Sequence, residues 1–281
     1  MKKFTKWLSL LLALVMVFAL VACGNTEEET EENEETTTTP AETTEATETE
    51  TTEATAEEVT EPEETTAVMT HEEFVAAELD SKVTVEFAIQ GTQTYNAEYG
   101  NTSVYGADEN GGYFVYRWAC TAEDAAKMTP GTWVRVTGFK AEYKGQIEII
   151  DGTFEIIEGE YVAEPVDLSD KLSADNVIDY QTMLFTAKGM TVEAIKDKDG
   201  KECAFLYNWD GSGTQGNDLY FNVSINGATY NFCVESYLTG ADTDVYKAVE
   251  ALKVGDKIDM EGFLYWYDGV NPHITSVTPA K

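Results

Sequence analysis

The sequence predicts a mainly β protein of two tandem five-stranded barrels, each with a short helix between its third and fourth strands. A signal peptide and a disordered acidic linker precede them. Three observations predict this. The pattern G-x6-G-F-x3-Y-x-G occurs twice without a gap, from Gly131 through Gly138-Phe139 to Tyr143 and Gly145, and from Gly255 through Gly262-Phe263 to Tyr267 and Gly269. Self-similarity of this kind marks two related units. Each copy follows a helix-like stretch and, before it, two strand-like runs joined by a turn signal. Composition also changes sharply along the chain, which separates a leader and a linker from a folded body.

Residues 1–22 open with Lys2, Lys3 and Lys6 and continue as an apolar run from Trp7 to Ala22. That run is shorter than the roughly 20 residues of a spanning helix, so it reads as a secretory signal. Leu20-Val21-Ala22-Cys23 resembles the lipobox of bacterial lipoproteins. The resemblance implies cleavage before Cys23, its lipidation, and an address on the outer face of the cell membrane. A plain signal with a coincidental cysteine is the alternative. Residues 23–67 then form the linker: seventeen Glu and no Lys or Arg lie between 25 and 67, with Thr filling most of the rest. Such a segment has nothing to bury and repels itself, so it is expected to be disordered. A spacer, an acidic binding tail and a glycosylated Thr stalk all fit it.

The first unit is expected over 68–160. Thr70 and Glu73 make a capping box ahead of Phe74, Val75 and Leu79, which predicts a short helix covering one end of the barrel. Strands are predicted at 82–90, 102–107, 113–119, 132–141 and 146–157, the last broken at Asp151-Gly152. Asn110-Gly111-Gly112 turns the second strand into the third. A helix is expected over 122–128, closed by Pro130-Gly131. Val134 and Val136 alternate with Arg135 and Thr137, as a half-buried strand requires. Gly138 and Gly262 fall where a small barrel needs a bulge.

Residues 161–182 read as a connector with a helical turn near 174–178, and 183–281 as the second unit. There Asn226-Gly227 joins strands at 219–225 and 229–235 in a tight turn. Val245, Val249 and Leu252 mark one face of a helix over 244–253. A hairpin at Asp199-Gly200 and a loop over 210–217 are extra to this copy. Strand, strand, strand, helix, strand, strand is the order of the OB-fold, so both units read as OB-like barrels. The chain also resembles uncharacterised tandem-OB lipoproteins of Gram-positive anaerobes, through both repeat copies and Cys23. OB-folds present one sheet face and its loops to oligonucleotides or oligosaccharides, so the resemblance implies a binding surface and leaves the ligand open.

Chemistry-bearing residues are sparse. His71 and His273 lie in different units without a nearby Ser or Cys in a recognised spacing, so nucleophilic catalysis lacks a basis and a surface or strand-edge role is expected for each. Cys120, Cys203 and Cys233 remain besides Cys23; they read as small buried thiols, with a Cys203–Cys233 bridge left open. The Asp-rich segments 197–202 and 210–217 lack the ligand order of a calcium loop. No cofactor or metal is therefore expected, and no catalytic residue.

Aromatics are the enriched resource. Phe139, Phe263, Tyr143 and Tyr267 recur in both copies, which suggests packing roles. Tyr207, Trp209 and Trp266 have no counterpart in the first unit and are the predicted ligand-binding residues. The whole chain carries −34, and the part after the linker keeps thirty-five acids against fifteen bases, near −20. That balance argues against nucleic acid as a partner unless Arg117, Arg135, Lys140 and Lys144 gather into a local basic patch. The expected function is a non-enzymatic, membrane-anchored extracellular binding or adaptor protein with a glycan or protein ligand. The alternatives are single-stranded nucleic-acid capture and, behind it, a carboxylate- or metal-dependent hydrolase.

Overall fold

Residues 67–281 are described in the structure, a computed structural model; the signal peptide, Cys23 and all but the last residue of the predicted linker lie outside them. Helix α1 (His71–Ala76) starts on the expected box: the Thr70 side chain accepts from the Glu73 amide, and the Glu73 carboxylate accepts from the Thr70 amide. Two orphan amide donors are thereby satisfied, and Phe74 is driven into the end of the first barrel.

That barrel is closed in the order β1-β2-β3-β5-β4. Its strands are β1 (Lys82–Thr92), β2 (Asn101–Ala107), β3 (Gly112–Ala119), β4 (Thr132–Tyr143) and β5 (Gln146–Glu160), with α2 (Ala122–Ala125) between β3 and β4. Pairings are antiparallel except β3 with β5, where Val115 lies against Ile149. Val83, Val85, Phe87, Val115, Trp118, Val134, Val136 and Ile149 fill the interior. Two expectations change. The helix predicted over 122–128 is one turn, because Thr129-Pro130-Gly131 must turn the chain into β4. The break predicted at Asp151-Gly152 is a bulge inside a continuous β5: Thr137 pairs with Thr153 and Phe139 with Ile150, so two residues face Gly138 alone. A Cβ on Gly138 would lie 2.7 Å from the Ile150 carbonyl oxygen, which is why glycine stands there.

The connector carries β6 (Val166–Asp167) and a 3₁₀ turn at Val177–Tyr180. The second unit follows with β7 (Leu184–Glu193), β8 (Ile195–Lys196), β9 (Glu202–Cys203), β10 (Leu206–Tyr207), β11 (Leu219–Ile225), β12 (Ala228–Val234), α3 (Asp244–Glu250), β13 (Lys257–Phe263) and β14 (His273–Pro279). The sheet runs β10-β11-β12-β14-β13-β7-β6, and an added β11–β7 pairing closes its five central strands into the same order as the first barrel. Asn226 and Gly227 take the positive φ values of a tight hairpin turn, 52° and 82°. Val245, Tyr246 and Val249 of α3 join the interior. The helix stops at Glu250, three residues short of expectation.

The two barrels pack directly on each other. Tyr105, Phe114 and Phe263 form a third buried cluster, with Leu184, Leu238 and Tyr265 against it. Tyr105 stacks on Phe263 at 4.3 Å and 4°. Gly91 opposite has no room for a side chain, since a Cβ would fall 2.7 Å from the Phe263 ring. Backbone bonds cross the seam from Thr94 N to Tyr237 O and from Asp268 N to Lys144 O.

Candidate functional site

The seam opens onto the surface at the β4–β5 turn of the first barrel. Tyr143 and Lys144 sit on that turn and are exposed, as is Tyr267 of the β13–β14 loop. Tyr143 meets Tyr267 edge to face at 6.0 Å. The Lys144 Nζ stands 5.6 Å over the Tyr267 ring and pairs with Asp268 at 3.0 Å. That carboxylate, first through its hydrogen bond, holds the Lys144 ammonium above its ordinary value. At the end of β3, Tyr116 is 38% exposed and the Arg117 guanidinium lies 5.0 Å over its ring. Arg117 has φ +48°, an uncommon conformation for a side chain of its size. Phe139, 42% exposed, is on the same outer side of β4 as Tyr143. Together these residues make a ledge of exposed rings with cations over two of them.

Below the ledge, Tyr265 touches Phe114 edge-on at 5.6 Å and stacks on His273 at 4.3 Å. Burial, then the charges of Glu148, Tyr143 and Tyr116, push its hydroxyl up. His273 Nδ1 lies 2.8 Å from the Tyr105 hydroxyl, and burial pushes the imidazole down to about 3. The expectation of a surface or strand-edge histidine is therefore corrected: packing of the barrels covers the first residue of β14. Glu235, buried beside it, accepts from Gln93 Nε2 at 2.9 Å and from the Tyr237 amide, and burial raises it to about 7. His71 packs edge-on to Tyr113 in the end plug.

The predicted ligand-binding residues are placed in three settings. The Tyr207 side chain is half-buried and its hydroxyl donates to Glu250 at 2.7 Å. Trp209 is 76% exposed on the loop after β10. Trp266 is half-buried beside the ledge, its ring against Gly145 and its amide donating to Gln146. Two other expectations fail. Tyr143 and Tyr267 are exposed, so their recurrence does not mark packing; only Phe263 is buried, while its counterpart Phe139 is not. The four cations do not gather either: Arg135 pairs with Glu86 and Glu155, and Lys140 is buried, donating to the Val75 and Ala77 carbonyls.

Cys120, Cys203 and Cys233 are free thiols, so the bridge left open is not formed. Asp197 and Asp210 spend carboxylate oxygens on the amides of their own turns. Among the described residues, no group of three or more His, Cys, Asp or Glu side chains is placed to hold a metal.

No family model matches the chain, and no curated protein does. Several solved structures do. The Ifi202 HINa domain in complex with 20bp dsDNA is 13% identical, with 72% of this chain and 100% of that one covered and a TM-score of 0.31. A murine DNA binding protein bound with ds DNA is 11% identical over 70% and 99%, with a TM-score of 0.31. The p204 HINb domain is 9% identical over 73% and 99%, with a TM-score of 0.33.

These matches stand against part of the sequence reading. The expected kinship with bacterial lipoproteins is corrected, because the structures found are HIN domains and DNA-binding proteins. Nor are these structures the membrane-anchored, extracellular adaptor with a glycan or protein ligand that was expected. Against the expected absence of nucleic acid as a partner, two of these structures are of proteins in complex with double-stranded DNA. At such low identity and TM-score, what this chain itself holds has to be argued from its own side chains.

Proposed function

We propose that the chain is a non-enzymatic single-stranded nucleic-acid-binding protein whose ledge takes unpaired bases by stacking. The observation that carries this is the meeting of Tyr143 and Tyr267, equivalent positions of the repeat, with Lys144 over one ring and Arg117 over neighbouring Tyr116. Exposed rings stack on any base, and adjacent cations meet the backbone that joins them. The β4–β5 loop is also where OB barrels engage oligonucleotides. Stacking at about 1–3 kcal/mol per base then supplies most of the affinity, because only two cations serve the ledge and one is shared with Asp268.

Trp266 belongs to this surface as a support for the β4–β5 turn. Tyr207 and Trp209 are assigned an outlying contact on the second barrel. A signal at 1–22 and a disordered linker over 23–67 remain part of the reading, as does the division at 68–160, 161–182 and 183–281. The seventeen Glu of the linker repel polyanions in general, which leaves specific stacking to select the ligand.

Fluorescence anisotropy of the full-length chain with labelled single-stranded oligonucleotides tests the reading. Binding is expected with a shallow salt dependence, a log–log slope of about −1.4 for two neutralised phosphates. Tyr116→Ala with Tyr143→Ala should weaken it on the order of ten-fold or more. Absence of binding at low ionic strength, or binding indifferent to both substitutions, overturns it.

A further inference from the structure

We propose that Glu148 reads guanine among the bases that the ledge accepts, an inference that rests on the single-strand reading above. Ile149 faces the first barrel's core, so its neighbour Glu148 faces outward from β5. Register surrounds it with the ledge. Glu148 pairs across β4 with Ala141, a small residue, and Tyr143 follows two positions on along the same face. On the other side, the Val115–Ile149 pairing sets Phe114 and Tyr116 of β3 on the outer face beside it. From the second barrel comes Tyr265, edge-on to Phe114 and within reach of the Glu148 charge.

Glu148 is nevertheless only 7% exposed, and it has no hydrogen-bond or ion-pair partner among the described residues. Burial alone raises its carboxyl, to about 7. Neither of its carboxylate oxygens is fully enclosed, so both can be met from solvent while the rest of the side chain is covered. By contrast, Glu235 at the same seam has Gln93 and a backbone amide to satisfy it. A pair of acceptor oxygens that no protein donor serves, open to solvent beside a set of aromatic rings, fits a planar ligand that brings donors of its own.

Base chemistry decides which ligand. A single strand can be read on its Watson–Crick edges, where unstacked bases are open. Guanine presents two adjacent donors there, N1–H and the exocyclic amine, spaced to meet both oxygens of one carboxylate. Adenine and cytosine each set one acceptor beside their amine, and thymine or uracil sets acceptors on both sides of its single N–H. An ionised Glu148 therefore attracts guanine through two bonds and meets a lone pair on each of the others. A bidentate pair of this kind discriminates on the order of ten-fold or more.

The experiment measures dissociation constants of the full-length chain for two oligonucleotides of equal length, identical but for guanine or adenine at the central positions. The guanine strand is expected to bind on the order of ten-fold more tightly. Glu148→Gln keeps the shape and replaces two acceptors by one acceptor and one donor, the pattern that adenine complements. That variant should lose the guanine preference and shift towards adenine, whereas Tyr143→Ala should weaken both strands alike. A ratio near one in the natural chain, or a ratio unchanged by Glu148→Gln, overturns the inference while the single-strand reading stands. Failure of both strands to bind removes that reading, and the inference with it.

Discussion

The two copies of the repeat have nearly the same sequence pattern and different surroundings. In each, a glycine stands at the bulge and an aromatic follows it. Gly138 is pressed on the Ile150 carbonyl, and Gly262 on the carbonyl of His273. There the likeness ends: Phe139 is 42% exposed, while Phe263 is 3% exposed and stacked on Tyr105 of the other barrel. The four residues after each phenylalanine diverge less, since Tyr143 and Tyr267 both stay at the surface and meet. Local pattern therefore sets the bend in each barrel, whereas docking decides which copies of the repeated rings become core.

The largest expected effect separates the two phenylalanines. Phe263→Ala empties the centre of the seam and should cost about 3–5 kcal/mol, as burying rings of this size does elsewhere. Phe139→Ala touches an exposed ring and should stay within about 0.5 kcal/mol. Chemical denaturation of the two variants side by side measures the difference. Equal losses would mean that the seam contributes nothing beyond each barrel's own packing.

The seam also holds the groups that respond to pH, and they act in opposite directions. Glu235 is raised from 4.5 to about 7, so its contribution is complete below about pH 4.5 and is lost as pH rises through 7. His273 is lowered from 6.5 to about 3, so its contribution is complete above 6.5 and is lost as pH falls towards 3. Glu235→Gln removes the first effect. Its denaturation midpoint should exceed that of the natural chain at about pH 8, with the advantage shrinking by about pH 5. A constant difference across that range would show that the carboxylate is not buried by docking.

Much of this fold was legible in the sequence because its signals are local. The capping box at Thr70, the Asn226-Gly227 turn and the strand alternation around Val134 need only neighbouring residues to be read. What escaped depends on contact between the units. In 146–150, Glu148 has the parity of an outward residue between core positions, which reads as solvated; only Tyr265, arriving from the second barrel against Phe114, leaves the residue largely covered. His273 opens β14 and reads as a strand edge for the same reason. The ledge was half legible. Its tyrosines stand out as a repeated pair, but recurrence alone does not distinguish a ring that each unit needs inside from one that both units present. Net charge was no guide to the ledge, because a count near −20 says nothing of where Arg117 and Lys144 stand.

The smallest expected effect concerns Trp209, the most exposed aromatic of the second copy's added loop. Its 76% exposure leaves little packing to lose, so Trp209→Ala should change stability by less than about 0.5 kcal/mol. Its effect on binding depends on ligand length. On the proposed reading the ledge would hold a short strand through Tyr116, Tyr143 and Tyr267 without help from the loop after β10, so a short oligonucleotide should bind Trp209→Ala and the natural chain alike. A strand long enough to reach the outlying contact adds one stacked base, and there the substitution should weaken binding by about 1–3 kcal/mol. Anisotropy titrations over a series of lengths locate the crossover. Should Trp209→Ala weaken the shortest strand as much as Tyr143→Ala does, the first bases would be held by the second barrel's loop, and the β4–β5 turn would lose its place as the primary site.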